Sequence, residues 1–206
     1  MNPRRCRRLR ATVAGLVAGL VAGAALALAG APTLAQAARA FPAVGTIEVA
    51  FTPGDRVDAR IAAAIDGAER EVLVLAYSFT QPTIARALAA AHRRGVVVQL
   101  LADRGQTLEL PQSAVPALAR AGVPVWLDRD HGAAHNKVVV IDADTPQATA
   151  ITGSYNFTVA AQARNAENIV ILRDNPDAAR AYRDYFRRQQ ARAARWNGDE
   201  VPTRAR

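Results

Sequence analysis

His135-Asn136-Lys137-Val138-Val139-Val140-Ile141-Asp142 is the stretch from which the rest of the chain can be read. Lys137 is the only lysine; the other 25 of the 26 Lys plus Arg residues are arginine. A chain that uses Arg wherever a plain positive charge is needed keeps Lys where a compact point charge must fit a crowded anion site. Residues 137–141 read as a strand, and strand side chains alternate faces with a period of two. His135 and Lys137 then point the same way, while Asn136 and Val138 turn into the layer behind. Asp142, five places after Lys137, falls on the opposite face and reads as a structural carboxylate rather than an anion contact.

Working outward, Gly153-Ser154-Tyr155-Asn156-Phe157-Thr158 closes the next strand, with the two uncharged hydrogen-bond formers Ser154 and Asn156 on one face. Glu167 follows eleven residues after Asn156, at the head of a further strand. The succession H-x-K-x4-D, G-S-x-N-x-T and Glu-Asn resembles the signature of the phospholipase D superfamily. Phe51-Thr52-Pro53, Ala76-Tyr77-Ser78-Phe79-Thr80 and Arg94-Gly95-Val96 extend the likeness over residues 47–196. They resemble the small bacterial endonucleases of that superfamily that carry a single motif. Residues 143–147 depart from the pattern by lengthening the connection after Asp142, which should be a surface excursion.

Periodicity outlines the elements. Residues 47–51 read as a first strand, and Val57, Ile61, Ile65 and Ala68 recur at helical spacing. Residues 72–76, 96–102 and 123–127 read as strands. Between them lie a helix from Thr80-Pro82 to a stop at Gly95, and a short helix over 113–121. This alternation argues for an α/β layered fold, with a mixed, mostly parallel central sheet flanked by helices. Residues 137–141, 148–153 and 168–172 are strands without long helices between them. A last helix starts with Asn175 as N-cap and Pro176 at its first position. One face of it carries Ala179, Tyr182, Phe186, Gln189, Ala193 and Trp196; the other carries Arg180, Arg183, Arg187, Arg188, Arg192 and Arg195.

Residues 1–40 have the form of a secretory signal peptide. Arg4, Arg5, Arg7, Arg8 and Arg10 precede an uncharged stretch over 11–38 that ends in A-x-A sites at Ala35-Gln36-Ala37 and Ala38-Arg39-Ala40. An uncleaved membrane anchor is the alternative. The paired arginines resemble a twin-arginine signal, so the export route stays open. The expectation is thus an exported protein, periplasmic or secreted, with a catalytic domain over 41–197 and a polar tail over 198–206. Removing the five leader arginines leaves 21 basic against 18 acidic residues, a net of +3 that permits polyanion binding without demanding it. Cys6 is the only cysteine and lies in the leader, so the domain has neither disulfide nor thiol chemistry. With three histidines and no other cysteine, a structural zinc site is not expected.

The resemblance implies a phosphodiesterase. A neutral imidazole suits attack on an anionic phosphodiester near neutral pH, which makes His135 the nucleophile of a phosphohistidine intermediate. Lys137 and Asn156 would hold the non-bridging oxygens, with Ser154 adding a hydrogen bond. Glu167 would accept a hydrogen bond from the other ring nitrogen and so set the tautomer. No metal or other cofactor is called for, since no carboxylate cluster of two-metal type is present. The leaving oxygen needs a proton, and the chain has no second motif. His92 with Gln99 mimics the spacing only crudely, and His131 reads as a surface loop residue. A homodimer whose two His135 side chains share one composite active site resolves this, as in the family's single-motif members. The expected substrate is DNA or RNA. The alternatives are phospholipid headgroups or an inactive nucleic-acid-binding module.

Overall fold

The computed structural model describes residues 38–198. The leader, apart from its last three residues, and the tail beyond Gly198 lie outside them. In chain order the elements are β1 (Thr46–Thr52), α1 (Val57–Asp66), β2 (Glu71–Ala76), α2 (Pro82–Arg93), β3 (Val97–Asp103), α3 (Arg104–Glu109) and α4 (Val115–Arg120). There follow β4 (Val125–Asp128), β5 (Lys137–Ile141), β6 (Thr149–Gly153), α5 (Val159–Ala163), β7 (Glu167–Arg173), α6 (Pro176–Gln190) and β8 (Ala194–Trp196).

All eight strands form one sheet in the order β1-β7-β6-β5-β2-β3-β4-β8. The α/β layered architecture is as expected, but its sheet is not mostly parallel. Only β2–β3 and β3–β4 run parallel; the other five neighbouring pairs are antiparallel. The reason lies in the connections. A parallel return needs a crossover of a dozen or more residues, supplied here by α2 and by α3 with α4. After β4 the links to β5 and β6 contain no helix, so those strands return antiparallel. Residues 143–147 form one of these links, a turn closed by the Thr145 N–H donating to the Asp142 carbonyl.

Both sheet faces are covered, which explains the near-continuous apolar runs of the central strands. In β2, Val72, Val74 and Ala76 enter one apolar cluster with α1, α2 and α4, while Leu73 and Leu75 enter the other beneath α6. β5 divides likewise, Val139 and Ile141 to the first and Val138 and Val140 to the second. Asn175 caps α6 as its sequence suggests, its Oδ1 accepting from the Ala178 N–H at 3.1 Å.

The end of α6 differs from the periodic reading. The helix stops at Gln190, and Ala194–Trp196 turn back as a strand beside β4. Trp196 therefore packs with Val125 in the first cluster, across the sheet from α6, while Arg195 lies over the Trp126 ring at 4.5 Å. The arginine face of α6 is also largely engaged. Arg180 pairs with Asp177, Arg183 with Asp144 and Asp184, and Arg187 with Glu71. Among the described residues no helix is long and apolar enough to cross a membrane.

Asp142 sits just past β5, at the end away from His135, with a left-handed backbone (φ 49°). Its carboxylate accepts three backbone N–H groups, from Glu69 at 2.9 Å, Arg70 at 2.8 Å and Glu71 at 2.7 Å. It thereby pins the start of β2 to the end of β5. Hydrogen bonds to a charged group contribute more than neutral ones, so Asp142→Ala should cost about 2–4 kcal/mol. For a domain of this size that is a fall of roughly 5–15 °C in Tm. Thermal melts followed by circular dichroism test this, with turnover per folded molecule expected to stay within about twofold because Asp142 is remote from the site.

Candidate active site

Antiparallel pairing brings the ends that matter to one rim. The C-terminal ends of β2, β3, β4 and β6 meet there with the N-terminal ends of β5 and β7. Strand topology therefore gathers His135, Lys137, Ser154, Asn156 and Glu167, which lie up to 32 residues apart in the chain.

His135 is exposed, whereas Lys137, which opens β5, is only 7 % exposed. The Lys137 Nζ donates to the His135 carbonyl at 2.7 Å and lies 2.9 Å from its Nδ1. Asn136 turns the other way, as alternation requires, and donates through Nδ2 to the Tyr185 hydroxyl of α6 at 3.3 Å. Tyr77, one residue past β2, packs against this pair. Its ring lies 4.3 Å from that of His135, and the Lys137 ammonium sits 5.0 Å from its centroid. Sequence reasoning did not single out Tyr77; the available signal was an aromatic residue ending a buried strand at the rim.

Two expected contacts differ. Glu167 makes no hydrogen bond to His135. It accepts instead from the Ser154 hydroxyl at 2.7 Å and from Asn165 Nδ2 at 3.0 Å. The cause is the β6–β7 pairing, which sets Ser154 beside the start of β7; its Oγ also accepts from the Asn168 N–H at 3.1 Å. A hydroxyl has one proton to give, and in Ser154 it goes to Glu167 rather than being held for a substrate oxygen. Ser154 thus positions Glu167. Gly153 makes this junction possible, since a Cβ there would lie 2.2 Å from the Asn168 carbonyl oxygen.

Asn156 is half-buried, and its side-chain Oδ1 is buried without a hydrogen-bond partner. Between it and Ser154, Tyr155 points into the core, donating to Gln162 Oε1 at 3.3 Å; burial pushes its phenol up to about 12. Gln162 in turn receives the Asp58 N–H at 3.0 Å and donates to the Asp55 carbonyl at 2.9 Å. The Gly153–Thr158 segment is thereby tied to the start of α1. Among the described residues, no three His, Cys, Asp or Glu side chains gather as a metal site.

Burial pushes the Lys137 ammonium below the ordinary lysine value, while the Glu167 charge pulls it back up. An ammonium contact to phosphate is lost when the proton leaves. The alkaline limb of kcat/KM should therefore lie below about 10.4, the unperturbed lysine value. Glu167→Gln removes the charge that holds the proton on, so it should move that limb to still lower pH. A pH–rate profile on a chromogenic phosphodiester checks this; an unmoved or upward-shifted limb would contradict it.

A sheet rim presenting an exposed imidazole backed by a buried ammonium has the nucleophile and the cation that phosphate-ester chemistry needs. The chain belongs to the phospholipase D superfamily and is a phosphodiester hydrolase: residues 61–190 match the family described as cardiolipin synthase, PLD-like domain. It is 38% identical over 143 residues to a phospholipase D of Rickettsia felis, covering 69% of each chain. It is 35% identical over 134 residues to the mitochondrial cardiolipin hydrolase of Xenopus laevis, covering 65% of this chain and 61% of that one. The crystal structure of Nuc, a phospholipase D family member from Salmonella typhimurium, superposes with a TM-score of 0.67 at 30% identity. That match covers 73% of this chain and 97% of Nuc.

Proposed function

We propose that this chain is an exported, metal-independent endonuclease that hydrolyses DNA or RNA through a phosphohistidine, working as a homodimer with a composite active site. The observation that carries the chemistry is the His135–Lys137 pair on an open rim. In the first step a His135 ring nitrogen attacks phosphorus, the P–N bond forms, and the P–O bond breaks with its electron pair leaving on oxygen. That oxygen takes a proton from the partner protomer's copy of the same histidine. Water, giving a proton back to that histidine, then attacks phosphorus and breaks the P–N bond. The Lys137 contact to Nδ1 belongs to the substrate-free state: an ammonium donating there leaves the neutral ring's proton on Nε2. Phosphate oxygens must draw Lys137 away for Nε2 to become the attacking lone pair.

The dimer is supported by what α6 leaves uncovered. Ile47, Val49 and Phe51 on the edge strand β1 are 59 %, 55 % and 57 % exposed and share one face. They lie opposite Leu172, Val170 and Asn168 of β7, on the α6 side of the sheet. A second copy laid across this strip would cover it and double the motif. The nucleic-acid reading is supported by the single-motif architecture and by the cationic ground beside the rim, where Arg104 and Arg129 line a cavity. The relatives that bear the names phospholipase D and cardiolipin hydrolase favour a second reading, hydrolysis of phospholipid headgroups by the same residues.

Purified protein assayed in parallel on nucleic acid and on phosphatidylcholine vesicles, with and without EDTA, separates these. The expected result is cleavage of nucleic acid at a rate EDTA does not change. Loss of all activity in EDTA with recovery on adding magnesium would refute metal independence, and turnover of lipid alone would establish the second reading.

A further inference from the structure

His131, though exposed on its loop, is held in one orientation by a buried carboxylate. Its Nδ1 lies 3.0 and 3.1 Å from the two Asp128 carboxylate oxygens. The same carboxylate accepts the Asp130 N–H at 3.0 Å and the His131 N–H at 3.1 Å. Asp128 is buried at the end of β4, so one fixed anchor holds both ring and loop. A second buried carboxylate, Asp103, accepts the Ala134 N–H at 2.9 Å and the Gln106 N–H at 2.8 Å. The segment between β4 and His135 is therefore pinned at both ends.

Two cavities meet at this residue. One, of about 260 Å³, is lined by His131 and Asp128 together with His135, Asn136 and Tyr185. The other, of about 400 Å³, is lined by His131 and Asp128 together with Asp103, Arg104 and Arg129. Arg104 is exposed and has no carboxylate partner among the described residues.

We propose that the phosphate next to the scissile one on a nucleic-acid strand is bound between His131 and Arg104, along the path joining these two cavities. This rests on the nucleic-acid reading above and adds the direction in which the strand leaves the site. A polynucleotide carries a phosphate on every residue, so placing one at His135 and Lys137 forces a neighbour onto adjacent ground. The negative charges on that ground are largely committed: Asp103 to two backbone N–H groups, Asp128 to two more and the His131 ring. Asp130, exposed on the same loop, and Glu109, whose Oε1 would lie 3.7 Å from a Cβ on the cavity-lining Gly105, are the remaining opposing charges. Arg104 supplies a permanent positive charge. With Nδ1–H directed to Asp128, a His131 ring carrying both protons has its Nε2–H left for a phosphate oxygen.

The test uses the full chain in the binding-only background His135→Asn, with a fluorescent single-stranded 12-mer titrated by anisotropy across a salt series. Arg104→Ala and His131→Gln should each weaken binding about tenfold and lower the slope of log affinity against log salt by about 0.7. His131→Lys should recover most of the loss. In the active background both variants should raise KM for the 12-mer while hydrolysing bis(p-nitrophenyl) phosphate, which has one phosphate, within twofold of wild type. Unchanged affinity and slope would overturn the proposal while leaving the nuclease reading standing if wild type still cuts the 12-mer. Equal losses on both substrates would overturn it too, moving His131 to the chemical step or to folding. Wild type that turns over the small diester yet neither binds nor cuts the 12-mer would overturn the nuclease reading and this inference together.

Discussion

Replacing His135 by Asn is expected to reduce turnover by about four orders of magnitude or more, since it removes a group the chemistry cannot route around. The ring is exposed and makes no contact on which the core depends, so the variant should melt with the wild type. The sharper result comes from mixing. If the site is composite, each active dimer needs one histidine as nucleophile and its twofold mate as acid, and a mixed dimer always lacks one. With random pairing, activity should fall as the square of the wild-type fraction. Rates across a series of refolded or co-expressed mixtures test this. A linear fall, or full activity in a species that sediments as a monomer, would show a complete site in each chain, with His131 then the leading candidate for the acid.

Lys137→Arg should be nearly as damaging as Lys137→Ala, with a loss of about 10²–10³-fold in kcat, the size found when one preorganised charge contact to a transition state is removed. The Nζ is enclosed by the His135 carbonyl at 2.7 Å, its Nδ1 at 2.9 Å and the Tyr77 ring at 5.0 Å. A guanidinium is planar and wider, and this space matches a single nitrogen. Steady-state kinetics of the two variants side by side decide the matter: half the wild-type rate in the arginine variant would mean that charge alone suffices here.

How far these residues could be read without a structure depended on whether their placement is local. The strand period alone sends His135 and Lys137 one way and Asn136 and Val138 the other, and the structure has Asn136 and Val138 on the α6 side. The N-cap at Asn175 is a contact across three residues and was equally visible. Strand direction was not, because it depends on the links, and those from β4 to β5 and from β5 to β6 are too short to carry a crossover helix. The helix α3 has no apolar stripe to announce it; it starts because Asp103 Oδ1 accepts the Gln106 N–H. Ala193 and Trp196 continued the helical spacing by coincidence, which hid β8. In the site, what escaped was tertiary: Tyr77 against His135, Ser154 spending its proton on Glu167, and Asp128 holding His131. Each joins residues whose proximity only the assembled sheet creates, except the last, whose three-residue separation was legible but unremarkable in a polar loop.

The return of Ala194–Trp196 alongside β4 also bears on how the protein stays dispersed. A sheet with an open border offers a row of unpaired amides to any other chain, the starting point for runaway strand addition. Here that border is β8, a strand only three residues long, so few amides are left open, and its closing indole fills the layer beneath Val125. A chain ending at Gln190 would keep α6 and the whole catalytic rim, yet leave β4 as the border with a void behind it where Trp196 packs. The stretch that closes the β4 side of the sheet is thus separate from the stretches that build the catalytic rim.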